Sequence, residues 1–238
     1  VMAAKATASV PLREAMRVLI SKKTFWLIAF AAAIKAFIGY AHAPFTASFF
    51  LRNHAEETAA LAANFNLQSV GFLGLAIGLI SGLSGAFSSM LGGWMSDKAA
   101  SKDVRNAMLA PALAALAGVP IYILAVTVDS ALAALFILTF HYLIAYFWYG
   151  PVYATTQGIV PPHMRATAAA ILLFIINLIG LGLGPLFTGI LSDVFAGPMG
   201  MGSAEGVRWA LIVSAATGVI PFVLFWMARK TIAQEMES

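Results

Sequence analysis

Six long stretches of mostly apolar residues follow one another between Thr24 and Arg229, and charged residues separate most of them. A helix that crosses a bilayer needs about 20 such residues, because each residue adds 1.5 Å along a hydrocarbon core about 30 Å thick. Only 10% of the residues are charged and 61% are hydrophobic, whereas a soluble domain has about 25% charged residues. The sequence therefore predicts an all-α membrane protein, a bundle of six transmembrane helices in a lipid bilayer.

The charged residues set approximate limits for the six spans. Residues 58 to 96 carry no charge and contain a polar loop as well as the second span. The predicted spans are Thr24–Phe50, Ser69–Met95, the segment between Arg105 and Asp129, Ser130–Tyr149, the segment between Met164 and Asp193, and the segment between Arg208 and Arg229. Residues 52 to 66 are predicted to form an external loop that contains a helical turn.

An amphipathic pattern precedes the first span. Between Val10 and Ser21, apolar residues repeat at helical spacing opposite a charged face, and Pro11 suits the first turn of a helix. The apolar residues are Leu12, Met16, Leu19 and Ile20, and the charged residues are Arg13, Glu14 and Arg17. Two interpretations remain open: a helix that lies in the cytoplasmic membrane interface, or a disordered linker.

The basic residues predict how the spans are oriented. Eleven of the fourteen Lys and Arg residues fall on one side of the predicted membrane, two (Arg52 and Arg208) on the other, and Lys35 within the first span. The eleven are Lys5, Arg13, Arg17, Lys22, Lys23, Lys98, Lys102, Arg105, Arg165, Arg229 and Lys230. Since Lys and Arg are enriched in cytoplasmic loops, both termini are expected in the cytoplasm, with the bacterial inner membrane as the expected location.

A short internal repeat divides the spans into two units. Gly93, Ser96 and Asp97 recur 96 residues later as Gly189-x-x-Ser192-Asp193, at the end of the middle span of each three-helix unit. The two units have opposite orientations, and inverted three-helix repeats are found in secondary transporters. The expected organisation is a cytoplasmic segment at 1–23, repeats at 24–128 and 129–230, and a tail at 231–238.

The loop between the second and third spans carries a recognisable motif. Gly93-x-x-x-Asp97-Lys98, followed by basic residues, resembles the Gly-x-x-x-Asp-Arg/Lys-x-Gly-Arg-Arg/Lys loop of the major facilitator superfamily. The sequence departs from that pattern at Ala100 and Ser101, where the family has Gly and Arg.

This resemblance implies a conformational latch that consists of Gly93, Asp97, Lys98 and Arg105. The glycine would permit close helix approach, and the Asp97 carboxylate would hold neighbouring helices through a charge-assisted hydrogen bond. Whether Lys102 or Arg105 completes the latch stays open, as does the alternative that Asp97 is a solvated loop residue.

Two later segments agree with the same family. Pro161-Pro162-His163-Met164-Arg165-Ala166-Thr167-Ala168 precedes the fifth span, and Gly184-Pro185 followed by the second repeat copy closes it. The combination is similar to the Spinster-like branch, whose members move sphingolipids and lysophospholipids, although sugar-acid and organic-anion branches share much of it. The resemblance implies that this chain is the C-terminal six-helix half of a carrier, with an N-terminal six-helix half as its partner; a first residue other than Met fits a piece of a longer chain. No signal peptide is expected at its start.

In that family the first helix of each three-helix unit lines the central cavity, here the first and fourth spans. In the first, Lys35, Ile38, Gly39, His42 and Thr46 share one helical face. An ionisable residue at membrane depth is costly unless it faces water, a partner or the bundle interior. Lys35 or His42 is therefore expected to contact an anionic substrate group or to relay protons; alternatively, Lys35 pairs with an acid of the missing half or snorkels to the surface.

The fourth span contributes aromatic residues to the predicted cavity. Tyr142 and Tyr146 are the preferred tyrosines of a stripe that continues to Tyr149 and Tyr153, which are alternatively interfacial belt residues. The adjacent stripe is His141, Ala145 and Trp148, and Gly150-Pro151 is expected to break the helix. Asn177 in the fifth span completes the candidate cavity set, with an interhelical hydrogen bond as its expected role.

Small residues at intervals of four are expected to let helices pack closely. They form two ladders on the second span and one on the fifth: Ser81, Gly85, Ser89 and Gly93; Gly74, Gly78 and Gly82; and Gly180, Gly184 and Thr188.

Several function classes lack support in the sequence. There is no cysteine, no phosphate-binding loop and no metal-ligand motif, so we expect neither an enzyme, a metal site nor a cofactor. Topology explains the basic residues, so no nucleic-acid partner is expected. The resemblance to the major facilitator superfamily implies a secondary active transporter for a small or lipid-like, anionic or amphipathic organic solute, and coupling to protons is expected by analogy with that family. The alternatives are an organic-anion or drug carrier of another branch, a six-span membrane enzyme, and a channel or scaffold.

Overall fold

The computed structural model describes residues 12–236, and the expected helix start at Pro11 lies outside them. Within this range the chain is helical, with no strand. The helices are α1 (Leu12–Ser21), α2 (Lys23–Asn53), α3 (Ala55–Ala63), α4 (Ser69–Ala100), α5 (Leu109–Thr127), α6 (Ala131–Ala145), α7 (Tyr149–Gly158), α8 (Arg165–Ala196), α9 (Gly202–Ala216) and α10 (Val219–Glu235). Short 3₁₀ segments, Val104–Met108 and Pro162–Met164, precede α5 and α8.

Six helical stretches of the described chain are long and apolar enough to cross a membrane, in agreement with the sequence. They are α2, α4, α5 with its 3₁₀ segment, α6 with α7, α8 with its 3₁₀ segment, and α9 with α10. Several helices continue beyond the predicted limits: α4 reaches Ala100 and α10 reaches Glu235. A helix can continue into polar residues after its apolar segment ends, because their backbone N–H groups still bond to carbonyl groups of the preceding turn.

Two short helices lie outside the spans. Helix α1 is the predicted amphipathic helix, and it buries Ala15 and Leu19 while Leu12 and Ile20 stay exposed. The disordered-linker alternative is therefore wrong for residues 12–21. Helix α3 occupies the predicted external loop and is longer than the single turn expected there.

Close backbone packing joins α2 to α8, one helix from each unit. A Cβ atom on Gly184 would lie 2.6 Å from the Phe37 carbonyl oxygen, and one on Gly180 would lie 2.8 Å from the Ala36 Cβ. The ladder on α8 thus acts as expected. A Cβ at Gly74, Gly78 or Gly82 on α4 would meet nothing within 4 Å in the described chain, so the close packing expected of this ladder stays a prediction for the partner half.

The fourth span is interrupted between α6 and α7. Residues 146–148 form a turn, so the helix breaks before Gly150-Pro151 and the predicted position was wrong by a few residues. Pro151 lies in the first turn of α7, where its missing N–H costs nothing. Helix α4 supports the break: Ser88 Oγ accepts a hydrogen bond from Tyr146 N–H (3.0 Å).

A glutamate from another element caps each of the two helices expected to line the cavity. At the start of α2, the Glu235 carboxylate accepts hydrogen bonds from Lys23 N–H and Thr24 N–H, both 2.9 Å. At the start of α6, the Glu57 carboxylate accepts from Ala131 N–H (2.6 Å) and from the Ser130 hydroxyl (2.8 Å). Carboxylates are favourable there because the first N–H groups of a helix lack partners and carry partial positive charge.

We expect the Glu57 cap to make stability depend on pH. The hydrogen bonds from Ala131 and Ser130 hold the pKa of Glu57 below its usual value. A lowered pKa means that the stabilisation is complete above the usual pKa and is lost as pH falls through the lowered one. Glu57→Gln should cost about 1 kcal/mol at neutral pH and flatten the acid limb of a thermal-unfolding series. Glu56→Gln, on the neighbouring exposed residue, is the control; equal pH profiles for both variants would contradict the cap.

Candidate functional site

A cavity of about 190 Å³ lies between α2 and the broken helix α6–α7. One side is polar, with Lys35, His42 and His141. The other side is aromatic: Tyr40, Tyr142, Tyr146, Trp148 and Tyr149. The structure thus brings together five of the six residues that the sequence placed in the cavity, namely Lys35, His42, Tyr142, Tyr146 and Trp148.

Lys35 is the one strongly basic side chain in the cavity wall. It is 8% exposed, and no carboxylate of residues 12–236 lies within ion-pair distance of it, since the ion pair found there joins Arg208 and Glu205. Inside a membrane protein, an ammonium group without a counter-ion is unfavourable. The position therefore favours an anion in the cavity or an acid supplied from outside this chain.

His42 belongs to a buried hydrogen-bonded network at the closed end of the cavity. Its ring stacks on Tyr122 at 3.7 Å between centroids, and its Nε2 lies 3.1 Å from Ser214 Oγ. Ser214 donates its single hydroxyl hydrogen to the Leu211 carbonyl (2.9 Å). Ser214 must then accept from His42, so Nε2 carries a hydrogen. The network fixes the orientation and tautomer of His42.

The same reasoning assigns two further hydrogens. Thr46 donates to the His42 carbonyl (2.8 Å) and lies 2.9 Å from the Tyr122 hydroxyl, so Tyr122 must be the donor to Thr46. His141 Nδ1 lies 3.1 Å from the Gly118 carbonyl oxygen, which can only accept, so Nδ1 carries the hydrogen. His141 Nε2 remains as the acceptor atom of that ring.

The break in the fourth span places its aromatic residues around the cavity. Residues 146–148 leave the helical path, so Tyr146, Trp148 and Tyr149 all reach the cavity wall. Trp148 stacks on Tyr149 at 4.0 Å between centroids. Tyr149 therefore lines the cavity, contrary to the belt alternative, whereas Tyr153 packs against the apolar core near it.

Asn177 does not line the cavity. Its Nδ2 donates to the Leu173 carbonyl (2.9 Å), and its Oδ1 accepts from the Tyr40 hydroxyl at 3.4 Å. The contact with Tyr40 joins α8 to α2, which is the interhelical role expected for this residue.

The latch residues do not form an ion pair in this structure. Asp97 is exposed, and none of the described basic residues lies within ion-pair distance of it. Lys98 Nζ lies over the Trp94 ring, 4.9 Å from its centroid. A Cβ on Gly93 would meet nothing within 4 Å, whereas one on Gly92 would lie 2.4 Å from Phe147 Cα. Gly92 is therefore the glycine that permits the close approach of α4 and the helix break.

Sequence reasoning missed three residues that complete the site. Tyr122 and Ser214 lie on the third helices of the two units, within mostly apolar spans, where no periodic pattern of polar residues marks them. Tyr40 lies beside the predicted face of α2. Tyr122 and Ser214 can be identified only when the helices that pack around His42 are known.

Chemically, the site combines a single cation with polar aromatic hydroxyls and two histidines in defined tautomers. No nucleophile paired with a base is present among the described cavity residues, and no group of three or more His, Asp or Glu side chains in residues 12–236 could hold a metal ion. The arrangement offers one cation and several hydroxyl groups for non-covalent binding, next to aromatic ring faces.

Comparisons with known proteins found one curated relative and similar solved structures. No family model matches the sequence. An MFS-type efflux pump of Mycolicibacterium smegmatis (strain ATCC 700084 / mc(2)155) is 27% identical over 221 residues, which cover 91% of this chain and 48% of the pump. The chain thus spans about half the length of the curated relative it matches.

Two solved structures of a bacterial homologue of the human lysosomal transporter Spinster are also similar. The inward-facing, unoccupied structure has a TM-score of 0.83 and 26% identity and covers all of this chain and 54% of that protein. The inward-facing, occupied structure has a TM-score of 0.75 and 26% identity, and the match covers 92% of this chain and 51% of that protein. The chain has the fold of one half of a major facilitator transporter.

This fold agrees with the predicted fold class and with the resemblance found in the loop motif, and the six apolar helical stretches support an integral membrane protein. Its relatives are transporters, in line with a transport function rather than an enzymatic one. Each relative is about twice as long as this chain, which is consistent with a C-terminal half that works with a second half.

Proposed function

We propose that this chain is the C-terminal half of a secondary active carrier that exports an anionic, amphipathic organic solute by alternating access, coupled to protons. The partner is an N-terminal six-helix half of the same carrier. The single observation that supports the solute class is the Lys35 ammonium, which lies in a cavity rich in aromatic residues and forms no ion pair with a carboxylate of residues 12–236.

The anionic part of the solute is assigned to the polar side of the cavity. Lys35 offers three N–H donors, and the hydroxyl groups of Tyr142 and Tyr146 in the same cavity offer further O–H donors. A charge-assisted hydrogen bond to Lys35 is stronger than one between neutral groups. Selection of anions over neutral solutes therefore depends on this lysine.

The amphipathic part of the solute is assigned to the aromatic side. Tyr142, Tyr146, Trp148 and Tyr149 present ring faces together with hydroxyl groups, which suits a chain or ring next to a polar group. The similarity to an MFS-type efflux pump supports the export direction, and the resemblance of the segments at 161–168 and 184–193 to the Spinster-like branch supports a lipid-like solute.

Proton coupling is assigned to groups that act with the partner half. No Asp or Glu of the described residues lies in the cavity wall, so a coupling carboxylate belongs to the other half. On this side the cavity contains Lys35, the two histidines His42 and His141, and tyrosine hydroxyls as titratable groups.

Reconstitution of the intact carrier tests the proposal. Proteoliposomes are loaded with a lysophospholipid, a long-chain organic anion and a neutral amphiphile of equal chain length. We expect efflux of the two charged solutes, faster with an imposed proton gradient. Preference for the neutral amphiphile contradicts the solute class, and efflux of all three unchanged by the gradient contradicts the coupling.

The latch is a separate proposal about the cycle. Asp97→Ala in the intact carrier should shift the inward–outward balance and leave expression largely intact, because Asp97 is exposed and stabilises no described contact in this structure. Distances between spin labels across the cytoplasmic mouth measure the balance. Asp193→Ala, at the matching position of the second repeat, is the control; an unchanged distribution for Asp97→Ala contradicts the latch.

A further inference from the structure

A second pocket, of about 280 Å³, lies outside the cavity, at the basic end of the bundle. Arg105 borders it from the 3₁₀ segment before α5, and Trp226, Arg229 and Lys230 border it from the middle of α10. Three of these four side chains are cationic, and none of them forms an ion pair with a carboxylate of residues 12–236. The pocket therefore carries uncompensated positive charge, and it gives Arg105 a place distinct from the latch.

Contacts with three neighbouring residues fix the orientation of the Arg229 side chain. Its Nε donates to the Arg105 carbonyl (3.2 Å) and one Nη2 hydrogen to Asn106 Oδ1 (2.9 Å). Its guanidinium also lies over the Trp226 ring, 4.5 Å from the centroid. A guanidinium has five N–H donors, so three remain for an oxyanion, in a geometry that suits phosphate.

An exposed apolar stripe leads from this pocket along α10. Val223, Trp226 and Met227 are 44%, 41% and 46% exposed. Together with Lys230 they follow the spacing i, i+3, i+4 and i+7, so all four share one face of the helix. Tryptophan is enriched at the depth where a membrane helix meets the headgroups, which places the pocket at headgroup level and the stripe in the hydrocarbon.

We propose that this pocket binds the headgroup of an anionic phospholipid of the surrounding leaflet, with one acyl chain along the stripe of Val223, Trp226 and Met227. The phosphodiester accepts hydrogen bonds from Arg105, Arg229 and Lys230. Basic pockets between transmembrane helices bind anionic headgroups in this way. A free phosphate would use the cations alone, whereas the adjoining apolar stripe specifies a lipid.

The test uses the intact carrier, purified in a neutral detergent and examined by native mass spectrometry with added phosphatidylglycerol or phosphatidylcholine. The site variant is Arg105→Gln with Lys230→Gln. Both residues are exposed and neither side chain has a hydrogen-bond partner in the structure, so the fold should tolerate the change. Lys23→Gln with Lys102→Gln removes the same charge from the same face and is the matched control. Glycerol 1-phosphate at equal concentration is the soluble competitor.

We expect the unmodified carrier and the control to retain phosphatidylglycerol over phosphatidylcholine, and the site variant to bind phosphatidylglycerol about tenfold more weakly. Equal phosphatidylglycerol binding by site and control variants overturns the proposal. Displacement of the lipid by equimolar glycerol 1-phosphate overturns the assignment of a lipid, because it makes the apolar stripe irrelevant. Unchanged thermal unfolding of the site variant ensures that weaker binding does not reflect misfolding.

Discussion

Lys35→Ala in the intact carrier is expected to lower transport of an anionic solute by about ten- to a hundredfold. The variant removes the single cation of the cavity wall, and a hydrogen bond to a charged group contributes about 1.5–3 kcal/mol. Initial rates across a range of solute concentrations in proteoliposomes measure the effect as kcat/KM. Lys35→Arg keeps the charge and should retain part of the activity.

Asn177→Ala is the matched control for Lys35→Ala. Asn177 is a polar residue of a neighbouring span that contacts the cavity residue Tyr40 without lining the cavity. Its loss should therefore cost less than the loss of Lys35. Equal and normal activity of both variants would remove Lys35 from the site. A different result would be that Lys35→Ala is inactive by itself and regains full activity only when an acid of the other half is also removed. Lys35 would then be the ion-pair partner of that acid.

The second large effect is expected at Gly92, which supports the break between α6 and α7. A Cβ there would lie 2.4 Å from Phe147 Cα and 2.7 Å from the Phe147 carbonyl oxygen. These are backbone atoms, so no side-chain rotation can relieve the contact. We expect Gly92→Ala to destabilise the carrier by about 1–3 kcal/mol, the usual range for overpacking, despite the better helix propensity of alanine.

Gly93→Ala tests the same helix one residue later. A Cβ on Gly93 would meet nothing within 4 Å, so the unfolding temperature of the Gly93→Ala carrier should be unchanged or slightly higher. Thermal unfolding of both purified variants in detergent provides the comparison. A Gly92→Ala carrier as stable as Gly93→Ala would show that the break is held by Ser88 rather than by close backbone packing.

The spans were predictable because a helix that crosses a bilayer needs about 20 mostly apolar residues, and the chain contains six such segments. Charges at Lys23, Arg105 and Asp129 mark the approximate limits of the apolar segments, and the six helical stretches contain those segments, although several helices continue beyond them. Lys35 and His42 were predictable for the related reason that an ionisable residue inside a span is costly without a function or a partner. Their common helical face then placed both of them in the cavity.

Other parts of the site depend on contacts that no local pattern records. The break of the fourth span was expected at Gly150-Pro151, yet proline is compatible with a first helical turn. Its position is set by Ser88 and Gly92 of another helix. The packing role expected of Gly93 belongs in the structure to Gly92, because only the arrangement of α4 against Phe147 distinguishes two adjacent glycines.

The glutamate caps have a consequence for how solute preference can change. Glu235 and Glu57 hold the starts of α2 and α6 by bonding to backbone N–H groups, and neither glutamate lines the cavity. The caps that hold the starts of these two helices therefore do not depend on the side chains that line the cavity. Substitutions at Lys35, Tyr142 or Tyr146 can adapt the carrier to a new solute while both helices stay fastened, so selectivity and architecture are free to evolve separately.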